Sequence, residues 1–436
     1  MTRPPRAFFA CLGILVCLLA AACAGETAAS SDGGGTGADA GADAGIADTG
    51  PADTGTVDGG APDAGPADEA RAAAAAKDSP NTPDPSALGP YPVGVTTSHV
   101  SYVYDDGKGG ETRDLPVEIW YPADDAARGM EKEAMDLKKI APAWVVEKVT
   151  IEMKPIPTDA VRDAPVRQLG EAFPLVLFSH GAGGIRQQSI FFTVTLASHG
   201  FVVASMDHVG GTAWDLLDPK NQGLDQTQLL ADGMPRRPKD FAAVLEWMLL
   251  RNETAGDLLN GQMNPRKIGA TGHSFGAYTA VAVAADRRIR AVVPMAAPTN
   301  LYDENVLARF PPVMIHGATK DKTVDYQEQQ NLYASLHKDR YFVGLTDGGH
   351  FSYSDLCSLP MADIAKIFNL NIDYYMSDGC GADNLAPAEA HRLINKFSIG
   401  FLDAYLRGSR AMYEKYLTPA DAALEPQIVF ESDEAY

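Results

Sequence analysis

Gly272-His273-Ser274-Phe275-Gly276 sets a serine between two glycines in the pattern Gly-x-Ser-x-Gly. A serine at a sharp strand-to-helix turn exposes its hydroxyl, and glycines on either side let other backbone pass close by. That hydroxyl is a weak nucleophile at neutral pH. It needs a base to take its proton and a third group to orient the base. Of nine histidines, only His350 and His391 lie beyond a plausible acid-bearing strand. His350 follows an apolar run directly, in Thr346-Asp347-Gly348-Gly349-His350, and is the expected base. His391 lies in a polar helical stretch and reads as a surface residue, while His180, His273 and His316 sit in or beside strands and read as hydrogen-bonded structural histidines. Two carboxylates compete for the third role. Asp321 ends Gly317-Ala318-Thr319-Lys320-Asp321, where a loop can reach His350, and Asp347 stands three residues before His350 in the same loop.

Nucleophilic attack on a carbonyl builds negative charge on its oxygen, which calls for two backbone donors. The amide of Phe275, next after the nucleophile, is one. The second is expected from the turn His180-Gly181-Ala182-Gly183-Gly184, with Ala182 supplying the amide.

These groups must be carried by a scaffold. From about residue 89 onward, apolar runs of strand length alternate with longer amphipathic segments, the pattern of a mainly parallel sheet covered by helices. Strands are predicted at 99 to 104, 115 to 121, 174 to 179, 201 to 206, 267 to 271, 290 to 295, 312 to 316 and 340 to 345, an eight-strand sheet. Helices are predicted near 187 to 198, 237 to 251, 275 to 285, 325 to 337 and 388 to 406. Residues 122 to 172 read as a mixed insert and 209 to 236 as a loop, and either could wall a site. The connection from 298 to 309 is too short for a separate cap domain, so an open site is expected. Its acyl pocket should be shallow, bounded by the oxyanion loop, Phe275 and the loop after His208.

The N-terminal part tells a different story. Arg3 and Arg6 precede an apolar run from 7 to 22, too short for a membrane span and ended by small residues, which reads as an export signal. Ala20-Ala21-Ala22-Cys23 resembles the bacterial lipobox, in which Cys23 would become the lipidated first residue; the family prefers Leu where Ala20 stands, and signal removal without lipid is the alternative. With Ala24 rather than Asp after the cysteine, an outer-membrane lipoprotein is the expected destination. Residues 24 to 85 are rich in Ala, Gly and Asp, with Asp recurring at 43, 48, 53, 58, 63 and 68. Such a segment has little to bury against the entropy of ordering, and is expected to be a disordered tether for a catalytic domain at 86 to 436. The net charge of -21 is partly explained by this acidic stretch, and no clustered Lys and Arg points to nucleic acid. Cys357 and Cys380 are the two cysteines outside the leader, and export implies one disulfide between them. No CxxC or HExxH spacing suggests a metal site.

Taken together, FSHGAGG at 178 to 184, LASHGFVVASMDH at 196 to 208, GHSFGA at 272 to 277, GPYPVG at 89 to 94 and the run 115 to 122 resemble the plasma-type platelet-activating-factor acetylhydrolase family and its bacterial relatives. Polyester hydrolases and cutinases are similar at a greater distance. The resemblance implies an α/β-hydrolase fold without a large cap domain. It also implies a triad of Ser274, Asp321 and His350, because the acid in that family comes from the preceding strand rather than the loop of Asp347. It implies no metal or cofactor, and a small-molecule or lipid ester with a short or oxidised acyl group as substrate. The long linker, the insert at 122 to 172 and the two cysteines after His350 depart from the animal members. Other readings are a polyester hydrolase or lipase, a peptidase, and a catalytically silent surface protein.

Overall fold

The computed structural model describes residues 82 to 433, apart from 106, 108, 150–151, 222–225, 300, 303, 308–309, 338 and 369–372. The expected signal, Cys23 and nearly all of the tether (residues 24 to 81) lie outside the described residues.

Among the described residues twelve strands follow in chain order. They are β1 (Val93–Tyr104), β2 (Glu111–Pro122), β3 (Ala134–Met135), β4 (Ile156–Pro157), β5 (Ala160–Arg162) and β6 (Phe173–Ser179), then β7 (Val202–Met206), β8 (Met263–His273), β9 (Ile289–Met295), β10 (Val313–Ala318), β11 (Arg340–Leu345) and β12 (Ile428–Asp433). Ten of them form one sheet in the order β12-β11-β10-β9-β8-β6-β7-β2-β1-β5, and β3 with β4 makes a separate short pair. Strands β7, β6, β8, β9, β10 and β11 run parallel; β12 and β2 pair antiparallel with the two ends of this block, and β1 and β5 extend the sheet beyond β2. The α/β-hydrolase architecture read from the sequence is therefore present, with ten strands in the sheet rather than eight. The additions are β5, three residues paired with β1, and β12, paired with β11.

Alternation of side chains along a strand divides the core. Val176 and Phe178 of β6 join a cluster with Phe192, Leu196, Phe397 and Phe401, from the helices Ile190–Ser198 and Pro387–Arg407. Leu175 and Leu177 of the same strand join the opposite cluster with Phe241, Val244, Ala277 and Leu332, from the helices Gln226–Glu253, Phe275–Ala282 and Tyr326–Ser335. All seven residues of β6 are buried, as expected of a parallel strand covered on both faces.

The predicted loop at 209 to 236 is largely helical: Ala213–Leu217 forms a short helix, and the helix expected from 237 starts at Gln226 and runs through Pro235 and Pro238. His391 is also not a free surface residue. Its ring stacks on Phe191 at 3.6 Å, its Nε2 lies 3.2 Å from the Ser354 carbonyl, and burial pushes its pKa down to about 4.

In the insert at 122 to 172, Arg162 ties the segment to the sheet through Glu118 at 3.0 Å and to Glu133 at 2.5 Å. The described helices of the insert, Asp125–Gly129, Leu137–Ile140 and Ala143–Lys148, are short.

Candidate active site

The chain passes from β6 to β7 on one side, then returns to β8 on the other side of β6. At such a reversal the carboxyl ends of two neighbouring strands open a crevice. Ser179 of β6 pairs with Gly272 of β8, so the turns that follow, His180-Gly181-Ala182 and His273-Ser274-Phe275, emerge side by side. The carboxyl ends of β10 and β11 carry the loops of Asp321 and His350 into the same rim.

Ser274 has φ 57° and ψ −119°, a conformation that is costly for a residue with a Cβ. Two features hold it there. Its amide donates to the Met295 carbonyl at 2.9 Å, and its carbonyl accepts from the Tyr278 amide at 3.0 Å, starting the helix Phe275–Ala282. The flanking glycines are required by contact rather than by dihedral angle: a Cβ at Gly276 would sit 1.8 Å from the Ser179 carbonyl oxygen, and one at Gly272 would sit 2.6 Å from the same atom. The serine itself is half-buried.

His350 is 2% exposed. Its Nδ1 lies 2.9 Å from Asp321 Oδ2 and 3.1 Å from Oδ1. Asp321 is held in turn by the amides of Thr323 at 2.9 Å and Val324 at 2.7 Å and by Gln329 Nε2 at 3.0 Å. Burial of the imidazole acts to lower its pKa, but the charge and hydrogen bond of Asp321, with Asp378 behind, outweigh this and raise it above the ordinary 6.5. Asp347 points elsewhere. Its side chain is 54% exposed and pairs with Lys320 at 2.8 Å. Of the two carboxylates, Asp321 is the one brought to His350.

A third carboxylate, which sequence reasoning missed, organises this loop cluster. Fully buried Asp378 accepts the amide of His350 at 2.9 Å and of Lys322 at 3.0 Å through Oδ1, and the Thr323 hydroxyl at 2.9 Å through Oδ2. It therefore fixes the backbone on both sides of the Asp321–His350 contact. Two residues later Cys380 is bonded to Cys357, with an S–S distance of 2.03 Å.

On the oxyanion side, Ala182 is exposed in the turn after β6, and Phe275 opens the helix after Ser274. A Cβ at Gly181 would lie 3.4 Å from Ser274 Cβ, so this loop lies directly against the serine. The Gly181 amide donates to Gln188 Oε1 at 2.9 Å, and Gln188 Nε2 contacts His273 Nδ1 at 3.1 Å. The three histidines read as structural are deeply buried. Burial, with nearby positive charge, holds His180 and His273 well below the ordinary imidazole range, and burial takes His316 to about 3, its Nε2 lying 2.8 Å from Ser398 Oγ. Among the described residues no group of three or more His, Cys, Asp or Glu could hold a metal ion.

The chain is similar to known proteins. The family model for platelet-activating factor acetylhydrolase, isoform II, matches residues 78–218, and that for X-Pro dipeptidyl-peptidase of the S15 family matches residues 157–342. The first spans the oxyanion loop but ends before Ser274; the second spans Ser274 and Asp321 but ends before His350. The platelet-activating factor acetylhydrolase of Canis lupus familiaris is 23% identical over 330 residues, covering 68% of this chain and 70% of that protein. The Bos taurus protein of the same name is 25% identical over 381 residues, covering 77% and 80%. Among solved structures, a ferulic acid esterase from Streptomyces cinnamoneus superposes with a TM-score of 0.57 at 22% identity, covering 81% of this chain and all of that one. The resemblance read from the sequence motifs is thus borne out over most of the chain after the tether.

Proposed function

We propose that this serine ester hydrolase works through Ser274, His350 and Asp321 and prefers carboxylic esters with short acyl chains. The observation that carries the assignment of residues is the Asp321–His350 contact at 2.9 Å, placed on the same rim as the strained turn of Ser274. In the reaction, the Ser274 hydroxyl oxygen bonds to the ester carbonyl carbon while His350 Nε2 takes its proton. Asp321 holds the Nδ1 proton and stabilises the imidazolium. The charge on the carbonyl oxygen is met by the amides of Phe275 and Ala182. Collapse expels the alcohol, which leaves with the proton from His350. A water molecule then repeats the sequence on the acyl-enzyme and releases the acid.

The relatives are named as acetylhydrolases, which supports a short acyl group. One observation favours longer chains instead. The helix Ala213–Leu217 leans on the oxyanion loop through the Ala213 amide and the Gly184 carbonyl at 3.0 Å, and an apolar groove beside it is lined by Leu137, Val145, Val149, Trp214, Leu217 and Phe368. A chain that reached this groove would gain about 0.8 kcal/mol for each buried methylene, and a chain that did not would gain nothing.

Three measurements test the reading. Ser274→Ala should abolish both turnover and labelling by a fluorophosphonate while leaving thermal unfolding unchanged; retention of a tenth of the activity would reject the serine. A series of p-nitrophenyl esters from acetyl to dodecanoyl should give its highest kcat/KM at acetyl to butyryl. A maximum at long chains would assign the groove to the acyl group and make the enzyme a lipase. Turnover of X-Pro peptide amides above that of any ester would favour the peptidase reading that the S15 match supports.

A further inference from the structure

One buried cation near the site takes no part in this scheme. Arg237 is 2% exposed and lies on the helix Gln226–Glu253, after the loops that wall the rim. Its guanidinium meets two carbonyls and a ring. Nη1 donates to the His180 carbonyl at 2.5 Å, Nη2 donates to the Gly181 carbonyl at 3.2 Å, and the guanidinium carbon stands 4.3 Å from the centre of the Phe275 ring. Burial lowers its pKa to about 9, with Asp240 opposing the shift, so it remains charged at neutral pH. A charge kept in such a place against its desolvation cost calls for a reason.

The reason follows from the geometry of one peptide unit. The carbonyl of Gly181 and the amide of Ala182 belong to the same planar group, and in a trans peptide they point in opposite directions. Among the described residues there are no cis peptide bonds. The Gly181 carbonyl accepts from two sides: from Arg237 Nη2, and from His180 Nδ1 at 2.7 Å. The second donor is fixed in its protonation, because His180 Nε2 accepts the His208 amide at 3.0 Å and so Nδ1 carries the proton. Holding the carbonyl from behind orients the amide in front. It also polarises that amide, since hydrogen bonds in series strengthen one another. The other donor is braced from the same helix. Gly233, one turn before Arg237, lies so close to the Phe275 ring that an added Cβ would sit 2.7 Å from Cε1.

We propose that Arg237 is a positioning residue for the oxyanion hole, locking the Gly181–Ala182 peptide and the Phe275 ring together and directing its charge along the Ala182 amide toward the developing oxyanion. This rests on the assignment of Ala182 and Phe275 as the oxyanion donors.

Arg237→Gln and Arg237→Lys are compared with wild type in the full enzyme, each counted by end-point titration with a fluorophosphonate. Kinetics use p-nitrophenyl butyrate, and a trifluoromethyl ketone, which forms a tetrahedral oxyanion adduct with the serine, reads the transition-state geometry. Loss of one oxyanion donor typically costs about 100- to 1000-fold in kcat. Arg237→Gln should accordingly lose about 100-fold in kcat per active site with KM within about threefold. The inhibition constant of the ketone should rise in step with the fall in kcat/KM, and Arg237→Lys should recover part of both. A purely structural role would instead lower the melting temperature and the titratable fraction, leaving kcat and ketone affinity per titrated site unchanged, and would overturn the proposal. If Arg237→Gln does not fold, Arg237→Lys decides alone: wild-type kcat and ketone affinity in that variant overturn the proposal. Ser274→Ala, run beside them, separates the two levels. An inactive Ser274→Ala with fully active Arg237 variants removes only this proposal, whereas an active Ser274→Ala removes the serine mechanism itself.

Discussion

Replacing Asp321 by Asn keeps the size of the side chain and exchanges a charged acceptor for a neutral amide. In wild type the imidazole Nδ1 lies 3.1 and 2.9 Å from the two carboxylate oxygens, so in the proposed mechanism it carries the proton and leaves Nε2 free to act as the base. In the variant the amide can present its NH₂ group to Nδ1, which favours the tautomer with the proton on Nε2, where it cannot act as a base. In serine proteases the corresponding change costs about 10,000-fold in kcat, or about 5.5 kcal/mol. A loss of about 1,000- to 10,000-fold is expected here. The pH profile supplies a second reading with a definite sign. Asp321 is the main influence raising the pKa of His350 against its burial, and only the neutral imidazole is active. In wild type the acid limb of kcat/KM should therefore lie above 6.5, with activity rising as pH rises through it. Removing the carboxylate leaves burial dominant, so in Asp321→Asn the limb should move to lower pH even as the plateau falls. Asp347→Asn provides the control. Its carboxylate is 54% exposed and paired with Lys320, a surface contact worth about 0 to 1 kcal/mol, so kcat should change less than about threefold. The assay is steady-state hydrolysis of a butyryl ester from pH 4 to 9, with protein counted by fluorophosphonate titration. A greater loss in Asp347→Asn than in Asp321→Asn would refute the argument, as would an acid limb that does not move.

Three further outcomes are expected. The disulfide closes a loop with a sequence separation of 23, which in the chain-entropy account stabilises by about 3 kcal/mol, so a double Cys357→Ala, Cys380→Ala variant should unfold at correspondingly lower urea; an unchanged midpoint would show that the bridge constrains nothing. Burial acts to raise the Asp240 carboxyl, but hydrogen bonds from His208 and Arg113 hold it at about 2, below its unfolded value of 3.8. It thus contributes about 2 kcal/mol that is present above about pH 4 and lost as pH falls toward 2, and Asp240→Asn should flatten the decline of stability measured by denaturant titration across that window. Cys23→Ser should shift the protein from the membrane to the soluble fraction of an exporting bacterial host, and an identical distribution would reject lipid attachment.

Much of the site could be read in the sequence because its parts are local. Ser274 announces itself through glycines that the neighbouring strand requires, and His350 through its place directly after β11. Asp321 follows from the end of β10, although choosing it over Asp347 needed the resemblance. The parts that escaped notice depend on contacts distant in sequence. Asp378 stands 28 residues from His350, and Arg237 stands 57 from His180; neither lies in a motif, and each acquires its role only when the loops meet. The elements that were misjudged have similar causes. The segment 209 to 236 reads as a loop, yet the helix runs back through Pro238 and Pro235 to Gln226. Strand β5 has three residues, too few to show a period, and β12 alternates between half-exposed and exposed positions at the sheet edge, with no buried stripe to mark it.

The fold also contains a second hydrogen-bonded series of the same residue types. Ser179 Oγ lies 2.8 Å from His208 Nε2, and His208 Nδ1 lies 2.9 Å from Asp240 Oδ2. Composition and distance alone would not tell this series from the one at the rim. Burial and backbone do. Ser179 and Asp240 are fully buried and His208 is 1% exposed, so no ester can reach the hydroxyl, and Ser179 lies in regular β6 rather than at a strained turn. Burial and the Arg237 charge take His208 down to about 4, against the pull of Asp240, which keeps it neutral as a fixed donor and acceptor. Asp240 is further held by Arg113 at 2.6 Å and Tyr102 at 2.7 Å. The series therefore fixes the end of β7, and the His208 amide then sets the tautomer of His180, whose Nδ1 proton lies behind the Ala182 amide. One Ser–His–Asp series thus provides the framework on which the oxyanion side of the proposed triad is positioned. The difference between them is that Ser274 is only half-buried, at the turn where the proposed mechanism has it meet the substrate, and is held in a conformation its own sequence would not choose.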